Sequence, residues 1–220
     1  MKVTEKNFFV LLADLRQSQK IKDREAGTQR LKEAITSFNA GFAEDIYAPM
    51  EITRGDEAAS VLKSICSLYD ALSSFTALLK PFNARFAVTY GVLTAGLSGR
   101  RSTEIDGPAF YEADRCMDEL KKSRNIFRIE TGNHPLDESI TSLMNMTLLR
   151  ESDLTPFQLR IIQLYGKDYT QNDIARRVKR TQQQVQQIIK VAPFDALEDA
   201  GKTLRTLLQT LELKIKKGGR

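Results

Sequence analysis

Two aspartates and a cluster of glutamines are the residues of this 220-residue chain whose types and spacing suit them to chemistry. Asp14 closes the apolar run "NFFVLLADL" (7–15), and Asp56 sits in the Gly-Asp turn of "EITRGDE", straight after the β-leaning "APMEITR". If the two strands are neighbours, both carboxylates emerge at one sheet edge. There they would form the usual protein share of a Mg²⁺ or Mn²⁺ site that also takes phosphate oxygens. The plainer alternative is that aspartate suits strand ends and Gly-Asp turns on conformational grounds. Glu57 reads as the start of the following helix, where an acid suits the dipole. The glutamines lie in "YTQNDIARRVKRTQQQVQQIIK" (169–190), with Gln182, Gln183, Gln186, Gln187 and Lys190 on one helix face. Glutamine can pair bidentately with adenine in the major groove, and lysine reaches phosphate or guanine. Arg176, Arg177, Lys179, Arg180 and Thr181 lie beside that face, suited to DNA-backbone contacts. A helical bundle with a solvated polar face is the alternative there.

The elements that must hold these residues follow from periodicity. The first strand is apolar without alternation, as in a strand buried on both faces. Leu31, Ile35, Phe38, Phe42 and Ile46 recur at helical spacing and predict an amphipathic helix over 25–46. A short strand enters at Pro49. After the Gly-Asp-Glu turn, Val61, Leu62, Ile65, Leu68, Tyr69, Leu72, Phe75 and Leu79 predict a second long helix. "ARFAVTYGVLTAG" (84–96) predicts a strand with a bulge or hairpin at Gly91. Pro108 opens a third helix, and "NIFRIETG" is a last strand. The order β-α-β-α-ββ-α-β argues for an α/β or α+β sheet domain over 1–132.

The remainder reads as helical, with a connector over 133–152, a pair of short helices within 153–192 and a final helix in 193–220. In the middle segment Thr170 and Thr181 can each cap a helix. Ile174, Ala175 and Val178 face Val185, Ile188 and Ile189 across the short turn "KRT". That is the arrangement of a helix-turn-helix, with Lys179 where glycine is usual. Leu197, Leu204, Leu208, Leu211 and Ile215 form a stripe that serves either as a dimer contact or as packing within the chain.

Composition narrows the function classes. With two cysteines and one histidine, a disulfide scaffold and a finger-type zinc site are excluded. Cys66 and Cys116 read as buried thiols within helices, and His134 marks a boundary beside Pro135. The longest apolar run, "FFVLLA", is too short to span a bilayer and lacks a cleavage site, so a cytoplasmic location is expected. Residues 1–150 carry 20 basic and 20 acidic side chains, whereas 151–220 carry 13 and 8 and thus hold the whole net charge of +5. A basic C-terminal part suits an anionic partner, nucleic acid first.

Taken whole, "LTPFQLRIIQLYGKDYTQNDIARRVKRTQQQVQQII" resembles the helix-turn-helix of sigma-factor region 4 and related response regulators, whose "TQ-x-[ED]-IA" step is matched by Thr170 to Ala175. That resemblance implies promoter or operator DNA as the partner. "RFAVTYGVLTAGLSGRRSTEIDGPAFYEADR" (85–115) resembles the class III nucleotidyl cyclase catalytic domain. Gly91, Ala95, Gly96 and Gly99 match its "G-x-x-x-A-G-x-x-G", and Gly107, Phe110, Ala113 and Arg115 match its "G-x-x-V-N-x-A-x-R" helix. "LLADLRQS" and "ITRGDE" match its two metal-aspartate segments, so the resemblance runs over about residues 8–131 in order. More closely, "ADLRQSQKIKDRE" with "LKEAITSFN", "EITRGDE" and "IDGPAF" resembles the bacterial SatD family.

The cyclase resemblance implies an α+β, ferredoxin-like palm sheet, which the all-α helix-turn-helix unit then follows. It implies that Asp14 and Asp56 are metal ligands, that Leu15, Arg16 and Ser18 face a triphosphate, and that Arg115 stabilises charge on a transferring phosphoryl group. The base-reading positions fall on Ile52 and Glu104, and the ribose-orienting asparagine on Tyr111. With no strand expected after Asp56, one strand of the usual hairpin is missing. The altered base-reading positions argue against efficient cyclisation. The expectation is therefore a homodimeric regulator that binds a nucleotide or phosphorylated ligand with Mg²⁺ and double-stranded DNA, with no membrane role. The rival expectation is an active nucleotidyl cyclase or nucleotide polymerase.

Overall fold

The computed structural model describes residues 6–16, 24–165, 169–191 and 194–218. Five strands and eight helices follow one another along the described residues: β1 (Lys6–Leu15), α1 (Arg24–Gly41), β2 (Ile46–Arg54), β3 (Glu57–Leu62), α2 (Leu68–Leu79), β4 (Ala84–Leu93), α3 (Pro108–Lys121), β5 (Phe127–Glu130), α4 (His134–Ser152), α5 (Pro156–Tyr165), α6 (Gln171–Arg177), α7 (Gln182–Val191) and α8 (Phe194–Gly218). The sheet order is β2-β3-β1-β4-β5. All neighbours are antiparallel except β4 and β5, which α3 links by a parallel crossover. The first four strands with α1 and α2 make the β-α-β-β-α-β unit of ferredoxin-like folds. The chain is α+β with a mixed sheet.

Residues of β1 alternate between two packed layers. Phe9, Leu11, Ala13 and Leu15 join the main core with α1, α2, α4 and α8. Val10, on the opposite face, packs with Ala109 and Ala113 of α3. Because both faces are covered, β1 shows no polar alternation in its sequence.

Two expectations about the strands are corrected. The run after Asp56 is not the start of a helix: Glu57–Leu62 is β3, paired with both β1 and β2. Ala58, Ala59, Ser60, Val61 and Leu62 are all buried. Its alanines favour helix intrinsically, but a place between two strands and two apolar layers overrides that preference. The hairpin therefore lies at Gly55-Asp56, and α2 begins only at Leu68. Cys66 accordingly sits in the β3–α2 loop and not in a helix, whereas Cys116 is buried in α3, where burial and Glu130 push its thiol up to about 12.

Gly91, conversely, makes no hairpin. Phe8↔Gly91 and Lys6↔Leu93 keep β4 in register throughout. A side chain there would meet Ala109 of α3, with the Cβ atoms 3.4 Å apart, so the glycine admits a close helix. The chain turns back beyond β4, where Ala95 bridges Asp106. Gly96 has φ +73°, and a Cβ on it would stand 1.9 Å from the Glu104 carbonyl oxygen.

Helix α4, expected as a connector, is a wall of the sheet domain, with Ile140, Met144 and Leu148 fully buried in the main core. Its Asn145 side chain accepts from the Ile126 and Phe127 amides and donates to the Phe127 carbonyl, satisfying part of the edge strand β5. Leu204, Leu208 and Leu211 of α8 are buried in the same core. That leucine stripe is covered by its own chain and is not a free dimer seam. Leu197, at the other end of α8, joins a separate cluster with Leu159, Ile161, Ile174, Ala175 and Val185. The helices α5–α7 thus hang between two helices anchored on the sheet. No helix among the described residues is long and apolar enough to cross a membrane.

Candidate functional site

The end of β1, the β2–β3 hairpin and the C-terminal half of α3 enclose a cleft of about 520 Å³. Asp14 projects into it from the α3 side of the sheet, directly opposite Glu57 on β3 and Arg85 on β4. The hairpin turn is held against β1 by the Leu15 amide, which donates to the Asp56 carbonyl oxygen at 3.3 Å. Asp56 stands close enough for its charge to act on Asp14. Helix α3 adds Asp114, Asp118 and Lys121, spaced so that all three share one face.

Asp14 is 6% exposed, and each of its oxygens faces a cation. The Arg85 Nη1 donates to Oδ2 at 3.1 Å, and the Lys121 Nζ lies 3.5 Å from Oδ1. Lys121 also donates to Glu57 Oε1 at 2.7 Å. Burial still dominates at Asp14, aided by Asp56, and holds its carboxyl above the usual carboxylate range against the pull of Lys121 and Arg85. Asp114 is raised as well, by burial and then by the charges of Glu57 and Asp118. Lys121 is less buried, and its contacts with Glu57 and Asp14 outweigh desolvation and raise it, which keeps it charged. The Nε of Arg85 is buried with no acceptor among the described residues.

The loop 94–107 forms one rim of the cleft and is fastened by Glu51 of β2. That carboxylate accepts from the Ser102 hydroxyl, the Thr103 amide and hydroxyl, and the Arg101 Nε. Against desolvation, Thr103 and Arg101 hold Glu51 below its ordinary value.

The other residues singled out in the sequence do not gather here. Ile52 packs toward the main core on the opposite face of the sheet. Glu104 pairs with Arg101, and Tyr111 is 60% exposed with its hydroxyl on Asp106. The Leu15 amide is taken by Asp56 and the Arg16 amide by the Asn83 carbonyl, so neither is free for a phosphate. Burial and the neighbouring Arg85 lower the Arg16 guanidinium. Ser18 lies outside the described residues. Arg115 points to the far flank of α3, into a second cavity of about 790 Å³, where Glu112, Glu119 and Glu130 hold it.

A Mg²⁺ or Mn²⁺ ion expected at Asp14 and Asp56 does not fit this donor set. The two oxygens of Asp14 are engaged by Arg85 and Lys121, and among the described residues no group of three or more acid, histidine or cysteine side chains is placed to hold a metal. Glu57, Arg85 and Lys121, which complete the arrangement, were missed. The stripe Asp114-Asp118-Lys121 on an amphipathic helix was the signal available for Lys121. Nothing local marks Arg85, since its role depends on strand register.

A second polar surface lies on α6 and α7. Thr170 caps α6 by accepting from the Asp173 amide. Thr181 and Gln184 cap α7 reciprocally, the Gln184 amide donating to the threonine hydroxyl and the Thr181 amide to the glutamine. Between them the Arg180 amide donates to Ala175 O and the Lys179 amide to Arg176 O, with Lys179 at φ +53°. This is a Schellman turn, with lysine at the position that glycine usually fills. Val185 is buried beneath, while Thr181, Gln182, Gln183, Gln186, Gln187 and Lys190 are exposed. No side-chain partner is found for those glutamines or Lys190 among the described residues. Arg176 lies 3.9 Å from Asp173, Arg177 stacks on Tyr169 at 4.0 Å, and Arg180 lies over Phe157 at 5.4 Å.

A mixed five-stranded sheet with an acidic cleft at its hairpin defines an α+β protein. The SatD family model matches residues 8–197, and the chain belongs to that family. Part of the chain is similar in structure to a bacterial light-regulated adenylyl cyclase, at 12% identity over 57% of this chain and 76% of that one, with a TM-score of 0.41. The catalytic core of a rhodopsin-guanylyl cyclase in complex with ATPalphaS matches 57% of this chain and 79% of its own, at 18% identity and a TM-score of 0.40. A class III adenylyl cyclase-like ATP-binding protein from Pseudomonas aeruginosa matches at 11% identity and a TM-score of 0.41, over 63% of this chain and 36% of its own. No curated protein matches the chain in sequence.

Proposed function

We propose that this protein is a DNA-binding regulator, in which α6–α7 act as a helix-turn-helix and the cleft of the sheet domain takes a nucleotide or other phosphorylated ligand. The observation that carries the reading is the outer face of α7. Four glutamines and a lysine stand exposed and without side-chain partners among the described residues, on a helix whose underside is pinned by Val185 and whose start is capped twice. Amides without partners on a rigid helix are what base edges in a major groove require. The ligand reading rests on Arg54, Arg85 and Lys121 around the cleft, cations that phosphate oxygens can recruit. Helices α4 and α8, packed on the sheet and framing α5–α7, supply a rigid route between the two sites. A dimer would set the spacing of two half-sites.

The test is selection of a duplex by the full-length chain, followed by fluorescence anisotropy. The pair Gln183→Ala and Gln187→Ala should weaken the selected duplex by at least about 30-fold, at roughly 1–3 kcal/mol for each of the two bidentate pairs, and leave random duplex nearly unchanged. Equal losses on both would show that the glutamines do not read bases.

The restored β2–β3 hairpin favours a second reading, an active nucleotidyl cyclase or nucleotide polymerase, because Asp56 stands on a turn between paired strands. Arg115 faces away from the Asp14 cleft of its own chain, so this route would need that arginine from a second copy. Turnover of labelled nucleoside triphosphates with Mn²⁺, abolished by Asp14→Asn, would establish it.

A further inference from the structure

We propose that Lys121 is the resident cation of the cleft, standing between Asp14 and Glu57 and occupying the Asp14 oxygen that a divalent ion would need, and that a phosphorylated ligand enters by drawing this ammonium onto itself instead of bringing a metal. The second half rests on the ligand reading above; the first does not. Asp14 and Glu57 are register partners on adjacent strands, so their side chains emerge side by side toward α3. A single Nζ lies 2.7 Å from one carboxylate and 3.5 Å from the other, the bridging pattern of a metal ion. The remaining oxygen of Asp14 is held by Arg85. A Mg²⁺ ion needs bare carboxylate oxygens at about 2.0–2.1 Å in octahedral array, and here both oxygens of Asp14 and Oε1 of Glu57 are already in contact with cations.

Lys121 is also the cation built to move. It is the last residue of α3, its side chain is 37% exposed, and its four-carbon stem is flexible, whereas Arg85 is 13% exposed and fixed in the strand register. Asp14, Glu57, Asp114 and Asp118 line the cleft against Lys121 and Arg54, with Arg85 beside Asp14. Without the lysine, four carboxylates would face two guanidinium groups, an excess of negative charge that attracts a divalent cation.

The experiment titrates Mn²⁺ alone into the full chain, read by electron paramagnetic resonance, and separately measures melting with ATP in the presence of EDTA. Wild type and Lys121→Arg should show no saturable Mn²⁺ site, whereas Lys121→Gln should gain a saturable one that a further Asp14→Asn removes. ATP with EDTA should raise the melting temperature of wild type and Lys121→Arg but not of Lys121→Gln. Stoichiometric Mn²⁺ uptake by wild type, or none by a Lys121→Gln protein whose circular dichroism is native, overturns the assignment of Lys121. If ATP stabilises no variant with or without Mg²⁺, the phosphorylated-ligand reading falls, and the Mn²⁺ titration still decides the place of the lysine.

Discussion

The charges around the sheet and the polar side chains of α7 obey opposite rules. In the cleft, Asp14, Glu57, Arg85 and Lys121 are drawn into one network of ion pairs. On α7, Gln182, Gln183, Gln186, Gln187 and Lys190 reach solvent without a side-chain partner among the described residues. Removing charges from water is costly unless they meet opposite charges, so the network around the sheet had to close on itself. At the surface water satisfies the same groups, and they remain free for another molecule. One region therefore has its charges matched within the fold, while the other leaves its polar groups open to a partner.

The largest effect that would break this contrast is on α7. Replacing Gln183, Gln187 and Lys190 together by glutamate should weaken binding to any duplex by at least about 100-fold near 0.1 M salt, by removing a phosphate contact and adding repulsion. Melting temperature should hardly move, because exposed substitutions away from caps cost within about 0.5 kcal/mol each. A loss of stability comparable with the loss of binding would mean that the face packs against something.

Around the sheet the order is reversed. Glu212 of α8 is buried and accepts from the Ser64 hydroxyl and the Ile65 amide, both at 2.8 Å, while Lys216 pairs with its other oxygen. Despite desolvation, these partners hold its carboxyl below the usual range. Glu212→Ala leaves the Ile65 amide buried without an acceptor and should cost about 2 kcal/mol, or roughly 4–8 °C for a chain of this size. Because its folded pKa is depressed, the contribution of Glu212 is present above the ordinary value of 4.5 and fades as pH falls through the folded one.

Glu151 of α4 shows the other sign. Its Oε1 accepts from the Tyr69 hydroxyl at 2.7 Å, while its Oε2 is buried with no partner among the described residues. Burial above all, with Asp70 nearby, raises this carboxyl against the hydrogen bond from Tyr69. A raised folded pKa gives a contribution that is complete below 4.5 and lost as pH rises through the folded value. Glu151→Gln should therefore raise the melting temperature at neutral pH and flatten its pH profile above 4.5. Thermal melts of the two proteins from pH 4 to 8 give the check, and a destabilised glutamine variant at pH 7 would show that the carboxylate is better compensated than its contacts indicate.

How much of this was legible in the sequence divides along the same line. The α6–α7 helices, their threonine caps and their outer face follow from helical spacing, which is local. Within the sheet domain, β1 and α3 were readable from one apolar run and one proline, but β3 was not. Ala58, Ala59 and Ser60 carry no strand signal, and only pairing with β1 and β2 makes them one. The cleft inherits that difficulty. Asp14 could be singled out as an acid ending a strand, yet its partners Glu57, Arg85 and Lys121 come from three other elements, and only register brings them to it.

The smallest effect is the most discriminating, because it sets the two rules against each other at one residue. Lys179 occupies the C′ position of α6 at φ +53°, a conformation that costs a non-glycine residue about 1 kcal/mol. Glycine would relieve that cost but would loosen the unfolded chain by roughly 0.4–1 kcal/mol, so Lys179→Gly should stabilise the protein by a few tenths of a kcal/mol at most. If the exposed ammonium serves a phosphate, the same change should weaken all duplexes alike and lower the slope of binding against salt by about one. A small gain in stability with a sequence-independent loss of binding would mean that the backbone strain is retained for a DNA contact. A gain in stability with binding unchanged would mean that the lysine only closes a turn, and the proposed DNA surface would then shrink to α7 alone.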